Sequence, residues 1–175
     1  MHASGAASAF PGSEEVPGAA RCLVVDDDAQ VRHALARVIE GQGLQCLEAA
    51  NGLEGLSVLE RAGPVPLVVT DVQMPEMDGV AFLHELRRQY PDTAVIMLTA
   101  IAEFRTAVEC LQVGAMDYIA KPVIIDEVRA RVSQALEKRN LIMQNRYYQR
   151  HLEAQVRQQS ERIKSMFLEG VQTLA

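Results

Sequence analysis

The chain has 175 residues, 49% of them hydrophobic, and a formal net charge of −6. This length fits one domain with extensions, no run of 18 apolar residues is present to span a membrane, and residues 1–20 lack the basic and apolar blocks of a signal peptide. Residues 21–137 carry 10 basic and 18 acidic side chains, an acidic body that argues against nucleic-acid binding, whereas residues 138–175 carry 7 basic and 3 acidic ones.

Strand-like and helical patterns alternate along the chain after residues 1–20, which are rich in Ala, Gly, Ser and Pro and which we expect to be disordered. Short apolar runs predict the strands, and apolar residues at helical spacing, bounded by Gly and Pro, predict the helices. The predicted strands are residues 22–25, 45–49, 67–71, 94–98 and 116–120; helices between them end near residues 41, 63, 91 and 114, and a last helix begins near Ile124.

This alternation with short loops is typical of an α/β fold. Parallel strands joined by right-handed helical crossovers give a sheet with helices on both faces. We therefore predict a doubly wound, five-stranded parallel sheet. In such a sheet, reactive groups collect at the carboxyl ends of the strands.

Polar side chains stand at four of the predicted strand ends: Asp26, Asp27, Asp28, Asp71, Thr99 and Lys121. Several carboxylates at one edge repel one another unless a cation joins them, and hard oxygen ligands suit Mg²⁺. A lysine and a hydroxyl at the same edge can contact phosphate oxygens, and an Asp carboxylate can itself be a nucleophile that forms an aspartyl phosphate. The pattern predicts phosphoryl transfer at this edge.

Four segments in this order resemble the receiver domain of bacterial two-component response regulators: Asp26–Asp27, Asp71–Gly79, Thr99–Ala100 and Asp117–Pro122. The resemblance covers about residues 21 to 140. It implies a flavodoxin-like sheet of strand order 2-1-3-4-5. It also implies a Mg²⁺-dependent phosphoacceptor, charged by a sensor histidine kinase or by a small acyl-phosphate-like donor in a phosphorelay.

The resemblance assigns roles to individual residues. Asp71 matches the phosphoacceptor. Asp26 and Asp27 match the acidic pair that holds Mg²⁺, Asp27 directly and Asp26 through water. Gln73 matches the position whose backbone carbonyl completes the metal site. Lys121 matches the lysine that contacts the phosphoryl group.

The resemblance also implies a switch. Thr99 matches the switch hydroxyl, and Tyr118 matches the aromatic side chain that changes rotamer on activation. The Lys121–Pro122 peptide bond is cis in the family. Gln73 and Ile101 occupy positions that affect phosphate lifetime, and because Ile101 is bulky and apolar we expect slow to moderate loss of phosphate.

Structural interpretations stand beside these functional ones. Asp28 fits the N-cap of the first helix better than a ligand role. Tyr118 could be an ordinary core residue. The three cysteines, Cys22, Cys46 and Cys110, have no metal-like spacing, and we expect them to be reduced and the protein to be cytoplasmic.

The last helix continues without Pro or Gly to about Glu169, well beyond the predicted sheet. Residues at heptad spacing predict a parallel coiled-coil dimer with a moderately apolar seam: Ile142, Asn145, Gln149, Leu152, Val156, Gln159, Ile163 and Met166. The alternative is a single exposed helix that needs a partner.

We expect three regions: a disordered tail (1–20), a receiver domain (21–140) and a helical linker (141–175). The linker ends in mid-pattern, as if cut just before an output domain. It weakly resembles the lead-in to cyclic di-GMP phosphodiesterases of the His-Asp/Gly-Tyr-Pro (HD-GYP) class, although none of their catalytic residues is present.

We expect a signalling domain whose own chemistry is limited to phosphotransfer and dephosphorylation, not an enzyme. One alternative is a Mg²⁺-dependent phosphohydrolase that uses Asp71 as nucleophile. Another is a dimerisation module that is no longer phosphorylated.

Overall fold

The structure is a computed structural model that describes residues 20–100 and 104–173. Within these residues five strands alternate with five helices. The elements are β1 (Arg21–Val25), α1 (Ala29–Glu40), β2 (Gln45–Ala49), α2 (Gly52–Ala62), β3 (Leu67–Asp71), α3 (Gly79–Gln89), β4 (Ala94–Ala100), α4 (Phe104–Val113), β5 (Asp117–Lys121) and α5 (Ile125–Thr173). The predictions for residues 1–19, for Ile101 and for residues 174–175 lie outside this range.

The strands form one parallel sheet in the order β2-β1-β3-β4-β5. This confirms the predicted α/β fold, its doubly wound topology and its strand order. Because β1 and β3 are neighbours at the centre of the sheet, the residues that end these two strands lie side by side. Ligands of open α/β sheets bind in the crevice at such a point.

Two apolar clusters cover the two faces of the sheet. The first joins β-strand side chains to α1 and α5, and includes Leu35, Ile39, Val128 and Val132, among others. The second joins them to α2, α3 and α4, and includes Phe82 and its neighbours Leu59, Leu83, Leu86 and Cys110. β3 is buried along its whole length, which is typical of a central strand covered on both faces.

Side-chain caps begin three of the helices, with Asp28 on α1, Asn51 on α2 and Asp78 on α3. Asp28 accepts hydrogen bonds from the backbone N–H groups of Gln30 and Val31, which confirms its prediction as the N-cap of α1. Asn51 caps α2 by accepting a hydrogen bond from the Glu54 N–H, and the Glu54 carboxylate accepts one from the N–H of Ala50, the residue before the cap, at 2.7 Å. These caps end the preceding loops and so fix where each helix leaves the sheet edge.

Two predicted boundaries differ at the carboxyl edge. β4 runs to Ala100, not to residue 98, so Thr99 lies inside the strand. β5 begins at Asp117 and ends at Lys121, one residue later than predicted at each end. The later ends of both strands arise because ladder pairing with a neighbour extends them beyond their apolar runs: Thr99 pairs with Ala120 and Ala100 with Lys121.

The last helix, α5, has 49 residues and spans about 74 Å. Its first turns pack on the sheet through Val128, Val132 and Ala135, which are buried. From Leu141 to Gln172 its side chains are exposed, so the predicted long helical extension is confirmed. In the residues described, no helix combines the length and apolar character needed to cross a membrane.

Candidate functional site

Three polar residues that are far apart in sequence meet at the carboxyl edge of the sheet. Asp26 follows β1, Asp71 ends β3 and Lys121 ends β5. Lys121 Nζ lies 3.0 Å from Asp26 Oδ2 and 2.9 Å from Asp71 Oδ2. The carboxylates are almost fully buried, with 0% and 9% of their side chains exposed, while 28% of the lysine side chain is exposed. The lysine therefore bridges two buried carboxylates.

A third carboxylate completes an acidic cluster. Asp26, Asp27 and Asp71 each offer an oxygen, and these oxygens lie within 4.8 Å of one another. Three negative charges face one positive charge, that of Lys121, so the group retains a formal charge of about −2. Asp27 is the member of the cluster that is exposed to solvent. Hard carboxylate oxygens around an open position are the ligands that Mg²⁺ accepts, and a divalent cation would neutralise the remaining charge.

Burial and charge act in opposite directions on Asp71. Burial raises its pKa, and the negative charge of Asp26 acts in the same direction. The hydrogen bond and charge of Lys121, and the backbone N–H of Val72 at 2.8 Å from Oδ1, oppose this rise but do not cancel it. The carboxylate is thus held in an environment that disfavours its negative charge, which adds to the reason for a cation beside it.

Lys121 remains charged in this environment. Burial lowers the pKa of its ammonium group, but the hydrogen bonds and charges of Asp71 and Asp26 outweigh burial, so its pKa is raised overall. A fixed positive charge beside the Asp71 carboxylate can contact an incoming phosphoryl oxygen.

The backbone holds Asp26 firmly in place. Its Oδ1 accepts a hydrogen bond from the Asp28 N–H at 2.9 Å, while Oδ2 contacts the lysine. Arg32 Nη1 donates to the Asp26 backbone carbonyl at 2.7 Å, and Arg32 Nε contacts Glu48 at 3.1 Å. Sequence analysis missed Arg32, because an arginine on the first turn of a helix is usually a solvated residue.

Gly79 is a second residue that sequence analysis did not single out as part of the site. A Cβ atom at this position would lie 2.0 Å from the Asp71 carbonyl oxygen. The Gly79 N–H donates to the Val72 carbonyl oxygen at 2.8 Å. The start of α3 therefore packs directly on the backbone of Asp71, and glycine is required for this close approach.

The remaining predicted residues lie around this cluster. Thr99 is 2% exposed and stands next to Leu98, the register partner of Asp71. Its hydroxyl donates to the Ala100 carbonyl oxygen at 3.1 Å. Tyr118 on β5 is half-buried against the second apolar cluster. Gln73 is exposed in the loop between β3 and α3.

The peptide bond between Lys121 and Pro122 is cis, as the resemblance implies. Ile101, on which the expectation about phosphate lifetime rests, lies outside the described residues, so that expectation stays a prediction.

Comparisons with known proteins agree with this geometry. The family model described as "Response regulator receiver domain" matches residues 22–133. The chain is 41% identical over 113 residues to the DNA-binding transcriptional regulator NtrC of Escherichia coli K12, covering 65% of this chain and 24% of NtrC. It is 40% identical over 121 residues to the regulatory protein AtoC of the same strain, covering 69% of this chain and 26% of AtoC.

Solved structures give the same result. A response regulator receiver domain protein from Clostridium thermocellum matches with a TM-score of 0.66 and 29% identity, covering 70% of this chain and 98% of that one. NtrX from Brucella abortus matches with a TM-score of 0.69 and 29% identity, covering 73% of this chain and 29% of the NtrX chain.

The chain thus spans about a quarter of the length of NtrC and AtoC. The matches reported above give no support to the predicted link with HD-GYP phosphodiesterases. The family match, residues 22–133, includes the acidic cluster and the lysine described here. The chain belongs to the response regulator receiver domain family.

Proposed function

We propose that Asp71 is the residue of this receiver domain that accepts a phosphoryl group, in a Mg²⁺-dependent reaction with a sensor histidine kinase as donor. The bridge from Lys121 Nζ to the Asp26 and Asp71 carboxylates is the observation that carries the proposal. It places a fixed positive charge beside the nucleophile, where phosphoryl oxygens would arrive.

In the proposed reaction, a carboxylate oxygen of Asp71 forms a bond to phosphorus as the phosphorus–nitrogen bond of a phosphohistidine breaks. The electron pair leaves with the imidazole nitrogen. Asp26, Asp27 and Asp71, with the backbone carbonyl of Gln73, would hold Mg²⁺. When bound, Mg²⁺ neutralises the carboxylates and the transferred oxygens. Lys121 contacts the phosphoryl group and stabilises its added charge.

We propose a switch from the position of Thr99, which directly follows Leu98, the register partner of the phosphoacceptor Asp71. Phosphorylation adds negative charge and strong acceptor oxygens, to which the Thr99 hydroxyl would donate instead of to Ala100. Tyr118, half-buried on the neighbouring strand, would then turn inward. Arg131 Nη1 on α5 contacts both carboxylate oxygens of Asp117 on β5, at 3.0 and 2.8 Å, so a movement of β5 would reach α5.

The test is Mg²⁺-dependent uptake of acetyl phosphate or beryllofluoride. Wild type should take up one equivalent, and Asp71→Asn should take up none. Asp28→Asn is the matched control, because it changes a neighbouring carboxylate but keeps a capping side chain, and it should behave as wild type. Equal uptake by wild type and Asp71→Asn would refute the assignment. Repeated turnover of a phosphate ester would favour the phosphohydrolase alternative.

The proposal extends to the linker, residues 141–175, which would relay the switch from the receiver, residues 21–140, to an output domain through a parallel dimer. Four apolar side chains of the predicted seam are 57–65% exposed in the single chain, namely Leu152, Val156, Ile163 and Met166. Burying them against a second copy would stabilise the helix by the hydrophobic effect. We propose that a sensor histidine kinase is the partner of this receiver domain. We also propose a cytoplasmic location, where the three free cysteines would stay reduced.

Sedimentation of matched variants tests this dimer. Val156→Asp places a charge in the seam and should give a monomer. Gln158→Asp adds the same charge two residues away, outside the seam, and should leave the dimer intact. A wild-type chain that remains monomeric at high micromolar concentration would instead support a single exposed helix with a different partner.

A further inference from the structure

Two cysteines face each other across the edge of the sheet. Cys22 lies on β1 and Cys46 on the edge strand β2, and they are register partners in the parallel ladder. Paired residues of parallel strands point to the same face, and both side chains belong to the apolar cluster under α1 and α5. Cys22 is completely buried, whereas Cys46 is partly exposed.

The strand pairing places these cysteines within reach of each other. Neighbouring strands lie about 4.8 Å apart, and disulfide-linked residues have Cα atoms roughly 4.4–6.8 Å apart. Each thiol also shifts the pKa of the other, as expected of neighbouring groups. We propose that Cys22 and Cys46 form a reversible intramolecular disulfide when the protein meets a peroxide. This would be a modification site separate from Asp71.

Cys46 is the thiol that reacts first. The neighbouring Cys22 thiol lowers the pKa of Cys46, although partial burial and the charges of Glu40 and Glu48 oppose this effect, whereas burial raises the pKa of Cys22. Cys46 Sγ also contacts the Ala36 carbonyl oxygen at 3.4 Å, which fixes its position beneath α1. Because β2 is an edge strand, a small oxidant can approach Cys46 from solvent, while Cys22 is sheltered behind it.

The chemistry proceeds in two balanced steps. The Cys46 thiolate attacks an oxygen of hydrogen peroxide; a sulfur–oxygen bond forms, the oxygen–oxygen bond breaks, and hydroxide leaves and is protonated to water. The Cys22 sulfur then attacks the Cys46 sulfenic acid. A disulfide bond forms, the sulfur–oxygen bond breaks, and a second water leaves with the Cys22 proton. Two thiols lose two electrons, and one peroxide is reduced to two waters.

Cys110 provides an internal comparison. It is buried on α4 in the apolar cluster on the opposite face of the sheet. Burial raises the pKa of its thiol, and the nearby charges of Glu109 and Asp78 act in the same direction. Cys110 should therefore remain a free thiol under conditions that link the other two.

Peptide mapping tests the proposal on the full chain. The protein is treated with hydrogen peroxide, its remaining thiols are blocked with N-ethylmaleimide, and it is digested with trypsin without reduction. Cleavage after Arg21, Arg32, Arg37 and Arg61 separates the peptides that carry Cys22 and Cys46. We expect these two peptides to be linked, with Cys110 alkylated, and dithiothreitol to release them. Unlinked peptides, or a bridge between two chains through Cys46, would overturn the proposal.

Variants test the order of the two steps. In Cys22→Ser, which cannot form the bridge but keeps a hydrogen-bond donor beside Cys46, Cys46 should accumulate as a sulfenic acid that dimedone traps, whereas wild type should give little adduct. Cys110→Ala should form the bridge as wild type does. Asp71→Asn should also form it, so this result is independent of phosphorylation. Dimedone labelling of wild type equal to that of Cys22→Ser would show that Cys22 does not resolve the intermediate. The wild-type peptide map decides the proposal even if a variant folds poorly.

Discussion

Removal of the Lys121 ammonium is the most direct test of the balance of charge between this lysine and the carboxylates of the site. Lys121→Met keeps a long, unbranched side chain but removes the charge that lies 3.0 Å from Asp26 and 2.9 Å from Asp71. Asp26 is completely buried and Asp71 nearly so. The substitution therefore leaves two buried carboxylates without their bridging cation.

The expected loss of stability follows from this burial. Removing one partner of a buried ion pair costs about 3–5 kcal/mol, because the other charge stays buried and uncompensated. The lysine side chain is 28% exposed, so water can partly replace it, and we expect the lower end, about 3 kcal/mol. Mg²⁺ should reduce this loss, because the cluster without its lysine carries one more negative charge and should bind the cation more tightly than the wild-type cluster. A cation that binds only the folded state stabilises it by about 2.7 kcal/mol at a hundred times its dissociation constant, so the tighter-binding variant gains more at a given Mg²⁺ concentration.

Urea unfolding monitored by circular dichroism, with and without Mg²⁺ and at fixed protein concentration, measures both effects. The midpoint of Lys121→Met should fall well below wild type without Mg²⁺, and the difference should narrow with it. Lys164→Met, on the exposed part of α5, should match wild type. Equal midpoints for wild type and Lys121→Met without Mg²⁺, or a difference that Mg²⁺ does not change, would refute this account of the charge balance.

Three further outcomes can be measured on the same protein. Gly79→Ala should destabilise the fold by about 2 kcal/mol or more in urea unfolding, since its Cβ would lie 2.0 Å from the backbone carbonyl oxygen that ends β3. Asp28→Ala should cost about 1 kcal/mol, because it removes the N-cap of α1; an unchanged midpoint would contradict the cap. Alkylation by iodoacetamide needs a thiolate, so as pH rises Cys46, whose pKa is lowered, should react before Cys22 and Cys110, whose pKa values are raised. Faster labelling of Cys110 than of Cys46 would contradict this order.

The sheet could be predicted from sequence because its strands carry their own signals. β1, β3 and β4 each contain a short apolar run that is directly followed by a polar residue, namely Asp26, Thr70 and Thr99, and Gly or Pro occurs in several of the loops. The alternation of elements leaves few topologies once crossovers are right-handed. Strand ends were harder to predict, because the pairing of Ala100 with Lys121 depends on a neighbour 21 residues away.

Contacts within the site depend on distances that sequence does not contain. The strand-end rule predicts that Asp26, Asp71 and Lys121 share an edge, but not that one ammonium contacts both carboxylates. Arg32 supports the Asp26 carbonyl because α1 leaves the edge at the angle set by its cap. The requirement for Gly79 appears only when the backbone of β3 is seen beneath α3. Side-chain reach and backbone approach are properties of the packed structure.

At the start of the predicted coiled-coil seam, α5 contacts the body of its own chain, and this contact limits where a second copy of the helix can pack. Arg139 Nε donates to the Asp92 carbonyl oxygen at 2.6 Å, and Arg146 contacts the Asp92 carboxylate. Residues seven apart share one face of a helix, so this face of α5 lies against the turn between α3 and β4. Ile142 stands between the two arginines and lines the same cavity of 230 Å³; it is 38% exposed, against 65% for Val156. While Asp92 contacts Arg139 and Arg146, a parallel partner helix cannot pack on that face of α5. A dimer seam compatible with this structure therefore begins beyond Arg146. Breaking the contacts with Asp92 would let the seam extend toward the receiver domain.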